Sequence, residues 1–146
     1  MPALTEFVLD DFLPYQLTVL ANRLSDGFSR TYQQKFDISV SEWRVVAHLS
    51  QAEKVSIREI YKRIEMDKSK ASRAAARLEA AGYITKRINP ADRRLVELSL
   101  TPKGHAMSNE IVKMGLAFQA EVQACLPAEH QRGFAAAINL LLENCK

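Results

Sequence analysis

The chain has 146 residues, of which 47% are hydrophobic and 25% charged, enough for one domain with a core of its own. It contains no apolar run near the roughly 18 residues of a membrane span, and its first residues lack the basic-then-apolar pattern of a signal peptide. Two cysteines are too few for a disulfide framework. Composition therefore predicts a cytoplasmic protein without a membrane partner.

The positive charge is concentrated in the middle of the chain. Residues 54–94 hold 12 Lys/Arg and 5 Asp/Glu, whereas the remaining residues hold 8 and 12. A net charge of +3 thus combines a basic centre with mildly acidic ends. Such a centre indicates a polyanionic partner, although a charged run is also typical of a plain solvated face.

The first half of the chain predicts four helices. Apolar residues recur at helical spacing over residues 10–35, which predicts one long helix. Capping boxes begin the next two helices, at Ser39 and at Ser56. After a tight turn at residues 65–66, Asp67 is a good cap for the fourth helix.

A basic β-hairpin is predicted after this fourth helix. Gly82 ends the helix where glycine is usual, and two β-prone segments follow at residues 83–88 and 94–100. Residues 89–92 (Asn-Pro-Ala-Asp) supply the turn chemistry between them. A short basic helix backed by a basic hairpin is the layout of a winged helix-turn-helix.

Two amphipathic helices are predicted at the end of the chain. Thr101 caps the first, and Pro102 occupies the initial helical position, where its missing N–H is not needed. Residues 126–127 (Leu-Pro) separate it from the last helix. The apolar stripes consist of Met107, Ile111, Met114, Phe118, Val122 and Cys125 in the first, and of Phe134, Ala137, Ile138, Leu141 and Leu142 in the second.

The predicted fold is mainly α with a small β-hairpin wing (α+β), in one domain spanning residues 1–146. Residues 39–100 form the winged helix-turn-helix lobe, and residues 10–35 and 101–145 form a helical region from both chain ends. The apolar stripes of these end helices could serve an intramolecular core alone or a two-fold dimer interface. We expect a homodimer, because one small recognition helix per protein rarely gives enough affinity.

The helix after Asp67 has two unlike faces. Its small or apolar residues, Ala71, Ala74, Ala75 and Leu78, share one face and are expected to face the core. The opposite face carries Ser69, Lys70, Ser72, Arg73 and Arg77. Arginine suits guanine edges, and serine and lysine suit phosphates or mixed contacts. This division predicts DNA recognition, although an ordinary amphipathic helix with a charged exterior shows it too.

The tip of the hairpin carries two adjacent arginines. Arg93 and Arg94 are placed to enter a minor groove, whose negative potential attracts guanidinium groups. Asp92 would be a poor phosphate contact, so we expect it to hold one of these arginines by an ion pair. The alternative is a solvated turn without a partner.

Several strings resemble the MarR family of bacterial transcriptional regulators. Residues 92–104 (DRRLVELSLTPKG) look like the wing signature of that family, and residues 67–73 (DKSKASR) look like its recognition helix. Residues 41–45 (SEWRV) are similar to the start of its second helix. Lys70 and Ala71 stand where the family often has threonine and valine, which leaves the base preference open.

This resemblance, which spans roughly residues 10–145, implies a function as well as a fold. Members are homodimers of winged helix-turn-helix subunits that bind pseudo-palindromic double-stranded operators and usually repress transcription. Many release DNA when a small phenolic or anionic ligand binds. We therefore expect a DNA-binding regulator that represses transcription, as the family usually does, with no cofactor and a small-molecule effector of unknown identity.

The resemblance places a ligand pocket between the dimer helices and the DNA-binding lobe. Aromatic and cationic side chains from the first two long helices are the candidates for holding an aromatic carboxylate: Tyr15, Arg23, Trp43, Arg44 and His48. The competing interpretation is that Trp43 packs in the core while Arg44 and His48 make structural hydrogen bonds.

Three other functions receive less support from the sequence. Cys125 and Cys145 do not match the N-terminal reactive cysteine of peroxide-sensing relatives, although redox response stays an alternative. The histidines lack metal-ligand spacing, and no phosphate loop or nucleophile-plus-base pattern predicts an enzyme. A protein that keeps the fold but acts by protein or ligand binding without reading an operator is the remaining alternative.

Overall fold

The described part of the chain is mainly helical and contains one small antiparallel sheet. The structure is a computed structural model that describes residues 6–52, 55–64 and 66–145. After a short 3-10 turn at Leu9–Asp11, its elements are α1 (Leu13–Phe36), α2 (Val40–Gln51), β1 (Val55–Ser56), α3 (Ile57–Arg63), α4 (Lys68–Ala80), β2 (Ile84–Ile88), β3 (Val96–Leu100), α5 (Pro102–Ala124) and α6 (Ala128–Asn144).

Side-chain caps begin four of the helices as the sequence predicts. The Ser39 hydroxyl accepts the Glu42 N–H at 3.2 Å, and the Ser56 hydroxyl accepts the Glu59 N–H at 3.1 Å. The Asp67 carboxylate accepts the N–H of residue 70 at 2.7 Å. At α5, the N–H of residue 104 donates to the Thr101 hydroxyl at 3.0 Å. Residue 65 of the predicted turn lies outside the described residues.

The first long helix begins three residues later than predicted. Residues 9–11 form the separate 3-10 turn, and α1 starts at Leu13 with Pro14 in its first turn, where a missing N–H is tolerated. The helix ends at Phe36, and the φ of 54° at its cap residue, Asp37, lies in the left-handed region. Aspartate reaches that region more readily than most residues, so it can end a helix without glycine.

The sheet has three strands in the order β1-β3-β2, whereas the sequence predicted a two-stranded hairpin. Val55 of β1 pairs with Leu98, and Ile84 of β2 pairs with Leu100 at the other edge of β3. The return strand starts at Val96 rather than at residue 94, because the Asp92 carboxylate binds the Arg94 N–H at 3.1 Å and holds it in a turn.

The small face of α4 is buried, as predicted. Ala71, Ala74, Ala75 and Leu78 are each at most 1% exposed, and they pack in a core with residues of α2, α3 and the sheet. Methyl-sized side chains let α4 lie close to α2, so the opposite face of α4 is left to solvent at the surface of the lobe. This packing positions the candidate recognition face.

Contact density divides the chain into two compact units, residues 1–109 and 110–146, with the boundary inside α5. In the second unit, the Gln131 amide donates to the carbonyls of Gln123 at 3.0 Å and Leu126 at 3.1 Å, which fixes the turn into α6. The predicted stripe of α6 is exposed throughout. None of the described helices is long and apolar enough to cross a membrane.

Candidate nucleic-acid interface

The outer face of α4 presents hydroxyl and cationic groups to solvent. Ser69, Lys70 and Arg73 are exposed, and Ser72 is half-buried. Because the Ala face is buried at 0 to 1% exposure, the helix cannot rotate to exchange these faces without exposing its core contacts. These four of the five predicted α4 residues are therefore at least partly accessible to solvent.

The fifth residue, Arg77, takes part in an ion pair that the sequence did not reveal. Its guanidinium nitrogen lies 3.7 Å from the Glu42 carboxylate of α2, whose side chain is only 9% exposed. The capping-box interpretation expected that carboxylate to turn back to its own helix. Since a nearly buried carboxylate needs a compensating charge, Glu42 and Arg77 together fix α4 against α2. Arg77 remains 65% exposed and can still face a ligand.

The C-terminal end of α4 is held to the beginning of α5. Gly82 takes a φ of 85°, and its carbonyl accepts the Thr101 hydroxyl at 2.6 Å. The Lys103 ammonium donates to the Ala81 carbonyl at 2.7 Å and lies 4.7 Å from the centre of the Tyr83 ring. These contacts satisfy helix-end carbonyls and place a cation at the negative end of the helix. They fix where the candidate recognition helix points.

The wing is held by two acceptor side chains at its tip. The Asn89 side-chain carbonyl accepts the N–H of residue 91 at 2.9 Å and of Asp92 at 3.3 Å, and its amide donates to Glu97 at 3.2 Å. The Asp92 carboxylate accepts both the backbone N–H and the side-chain Nε of Arg94, each at 3.1 Å. The predicted ion pair is therefore present, and its arginine is Arg94.

The two wing arginines consequently differ in freedom. Arg93 is exposed and forms no ion pair with any described residue, whereas the Arg94 guanidinium is tied to Asp92. The side-chain and backbone hydrogen bonds from Arg94 hold the pKa of Asp92 below its ordinary value of 3.8. At neutral pH the carboxylate is charged and the turn is fixed.

We expect the substitution Arg94→Ala to raise the pKa of Asp92 towards 3.8, since the largest stabilising contact of the carboxylate is lost. Because the folded pKa is lowered, the contribution of this pair is complete above pH 3.8 and disappears as pH falls through the folded value. Carboxyl carbon NMR shifts against pH measure the midpoint. Arg93→Ala is the matched control, and equal midpoints in the two variants would contradict the assignment.

A small concavity on the same lobe is lined by Arg94 and by two cations outside the predicted site. Its volume is about 80 Å³, and Arg58, Lys68 and Arg94 lie in its lining beside Ser56 and Tyr61. Arg58 and Lys68 belong to the basic centre of the sequence but not to the predicted site, which consists of the outer face of α4 and the wing tip. A lysine at the first position of a helix was the available signal.

The ligand-pocket candidates fall into two groups. Tyr15 and Arg23 line one surface concavity on α1, together with Asp10 and Gln16. Trp43 instead packs against Phe28 and Tyr32, with ring centres 5.9 and 5.8 Å apart. This arrangement agrees with the core interpretation of Trp43.

The other α2 candidates have different electrostatic characters. Arg44 is exposed. Burial raises the pKa of Tyr32 to about 12, and the positive charge of Arg44 opposes this rise. Burial, and then the charge of Arg63, lower the pKa of His48. His48 is therefore neutral at pH 7, and Arg44 is the permanent cation of this group.

Both cysteines are exposed. Cys125 was expected on an apolar stripe, but it lies just after α5 and is exposed, as is Cys145. The stripe loses burial along α5, from Met107 and Ile111, which are buried, to Cys125. Within the described ranges, no group of three or more His, Cys, Asp or Glu side chains could hold a metal ion.

Comparison with known proteins identifies this lobe. The sequence model of the MarR family matches residues 36–95, which run from the end of α1 into the wing. The multiple antibiotic resistance protein MarR of Salmonella typhimurium is 26% identical over 107 residues, which cover 73% of this chain and 74% of that protein.

Solved structures share the fold over nearly the whole chain. A MarR transcriptional regulator from Methanosarcina mazei superposes with a TM-score of 0.83 at 16% identity, covering 92% of this chain and 96% of that one. BpsR of Bordetella bronchiseptica, whose DNA binding is regulated by 6-hydroxynicotinic acid, gives 0.80 at 20% identity, covering 97% and 99%. These matches support assignment to the MarR family, and the fold of the chain is the winged-helix fold of that family's transcriptional regulators.

Proposed function

We propose that the protein is a homodimeric repressor that reads a pseudo-palindromic operator in the cytoplasm, with the whole chain acting as one MarR-like domain. The observation that carries this proposal is the exposed hydroxyl and cationic face of α4, flanked by a wing with an exposed arginine on the same lobe. Both elements match in kind what a major groove and an adjacent minor groove bind.

The proposed contacts follow from exposure. Arg73 is the candidate for a bidentate guanine contact, because it projects from the middle of the exposed face. Ser69, Lys70 and Ser72 would contact phosphates or base edges near the start of the helix. Arg77 would approach DNA while held by Glu42, and Arg93 would enter the minor groove beside Arg94.

The distribution of exposed apolar side chains supports the dimer. Among the described residues, sixteen large apolar side chains are at least 40% exposed, and fifteen of them lie in residues 7–20 or 112–142. The exception is Ile88 in the wing. A soluble monomer rarely exposes so much apolar surface, so the chain ends are proposed to bury it against a second copy.

An effector is proposed by analogy with BpsR, whose DNA binding 6-hydroxynicotinic acid regulates. Tyr15 and Arg23 would supply an aromatic wall and a cation for an anion of this class, and Arg44 a second cation. Tight operator binding requires one separation of the two lobes. A ligand that favours another separation would therefore shift the population away from DNA.

A protein that keeps the fold without reading an operator is the alternative from another functional class. The composition of the α4 face argues against it, since protein contact alone does not require Lys70, Arg73 and Arg77 together on a helix with two serines. DNA binding that falls steeply with salt separates the two, because only neutralised phosphates release counterions.

We expect Arg73→Ala to weaken operator binding by about 1–3 kcal/mol and to relax the preference at one base pair of each half-site. Fluorescence anisotropy on selected operator DNA and on mismatched DNA measures both quantities. Glu79→Ala is a control, since that exposed α4 residue pairs with Lys86 of the wing sheet instead of joining the proposed contacts. Equal binding of operator and random DNA by the unaltered protein would favour the alternative, in which the protein keeps the fold without reading an operator.

A further inference from the structure

A second set of cations lies beside the recognition face, at the junction of α3, the start of α4 and the beginning of β3. Arg58 comes from the first turn of α3, Lys68 is the first residue of α4, and Arg94 comes from the wing turn. All three line the concavity of about 80 Å³ and are exposed to solvent. Arg94 follows Lys68 by 26 positions and Arg58 by 36, and the three side chains line one small volume.

Three carboxylates close in sequence to residues of this cluster are already engaged. Asp92 receives two hydrogen bonds from Arg94, and Asp67 accepts the Lys70 N–H as the cap of α4. Glu59, next to Arg58 in sequence, pairs with Arg63 at 3.5 Å. The remaining positive charge of Arg58 and Lys68 is therefore not neutralised by an ion pair with a described residue.

The position of Lys68 is unfavourable for α4 on its own. The beginning of a helix carries partial positive charge, so cations there destabilise it. The first turn of α4 nevertheless holds Lys68 and Lys70 and no acidic residue. A locally unfavourable residue of this kind is expected where it serves binding, and an anion at a helix start is stabilised by both the lysines and the backbone N–H groups.

We propose that Arg58, Lys68 and Arg94 bind one phosphate of the operator backbone, between the groove read by α4 and the groove entered by the wing. The hydroxyl of Tyr61 borders the same concavity and can donate to a phosphate oxygen, whereas the Ser56 hydroxyl already donates to the Glu59 carboxylate at 3.4 Å. Asp92 then has a second role, since it orients Arg94 towards the concavity. This inference rests on the proposed operator-binding function and adds a backbone contact that sets the register of the lobe.

The test compares Arg58→Ala, Lys68→Ala and the double variant with the unaltered full chain, on one selected operator over a range of salt concentrations. Because the three cations share one phosphate, the double variant should reduce the slope of log affinity against log salt by at most about 0.9 and weaken binding up to roughly fivefold at 0.15 M salt, and each single variant should show part of this loss. The ratio of operator to random-DNA affinity should not change, because a phosphate carries no sequence information. Lys62→Ala is the matched control, an exposed cation of α3 that does not line the concavity.

Thermal unfolding of the same variants adds an independent readout. Lys68→Ala should keep or raise the unfolding temperature, since it removes a cation from the positive end of α4. Weaker DNA binding at undiminished stability supports the site. A reduced slope in Lys62→Ala as large as in Lys68→Ala would overturn it, because the charge would then act diffusely. Unchanged slopes in Arg58→Ala and Lys68→Ala, with tight operator binding by the unaltered protein, would overturn it as well.

Inorganic phosphate distinguishes a DNA phosphate from a free anion. Backbone amide shifts of residues 56–61 are followed while phosphate is added at constant ionic strength. Weak phosphate binding, together with reduced salt slopes of DNA binding in the variants, supports the operator contact. Tight phosphate binding with unaltered DNA slopes would overturn it in favour of a free-anion site. If the unaltered protein shows no salt-dependent DNA binding at all, the proposed function fails, and this inference fails with it.

Discussion

Replacement of Gly104 with alanine is expected to lower the free energy of unfolding by about 3 kcal/mol. Gly104 is buried in the first turn of α5, where a Cβ atom would overlap the backbone carbonyl oxygen of Tyr83. That oxygen cannot move away cheaply, because it accepts the Thr101 N–H at 3.0 Å. The clash would separate α5 from the segment that ends α4 and begins β2.

Gly133→Ala provides a matched control with the opposite sign. Gly133 lies within α6, and a Cβ atom there would meet nothing within 4 Å. Alanine should stabilise this helix by about 0.5–1 kcal/mol, because glycine loses more backbone entropy on folding. Urea unfolding of both variants measures the two effects. Similar stability of Gly104→Ala and the unaltered protein would show that the junction between Tyr83 and α5 adapts easily.

Leu141→Glu is expected to convert the proposed dimer into a monomer and to weaken operator binding by at least about 100-fold. The side chain is 42% exposed on the apolar stripe of α6, so the substitution leaves the core of the chain intact. In a dimer interface, however, it would bury a carboxylate without a partner. A monomer contacts one half-site and loses the gain from binding both together.

Asn139→Glu introduces the same charge on the same helix but away from the apolar stripe. It should preserve both the dimer and operator affinity. Light scattering coupled to size-exclusion chromatography gives the molecular mass, and anisotropy gives the affinity. If the Leu141→Glu protein stays dimeric and binds the operator normally, this face of α6 is not part of the interface.

Local sequence signals predicted the helix starts and the orientation of α4. The caps at Ser39, Ser56 and Asp67 involve residues three positions apart, so neighbouring residues alone determine them. The buried alanines of α4 follow from helical spacing, and the left-handed Gly82 follows from its place after the helix.

Features that depend on distant residues were not predictable in the same way. The two-residue strand β1 exists because Val55 pairs with Leu98, more than 40 positions away, and two residues carry no period. The ion pair of Glu42 and Arg77 likewise joins separate helices. The cations of the proposed phosphate site converge only after α3, α4 and the wing have packed. The count of basic residues therefore showed that they are present but not that they lie together.

The contacts around Arg94 and Lys103 suggest how the lobe keeps its shape on DNA. Asp92 restrains the wing turn, and Lys103 binds the Ala81 carbonyl at the end of α4. α4 is thus held at its C-terminal end and the wing at its turn, while Arg73 and Arg93 remain exposed. Elements that are already held in place lose less entropy on binding, which favours affinity for one groove spacing.

Selection of DNA from a random double-stranded pool by the unaltered protein tests the central claim most directly. The sequences retained after several rounds show whether the protein reads bases and how its half-sites are arranged. The proposed dimer predicts a pseudo-palindrome with half-site centres about 10 base pairs apart. Retention of DNA without any shared sequence would contradict operator reading, and a single unrepeated half-site would contradict the dimer.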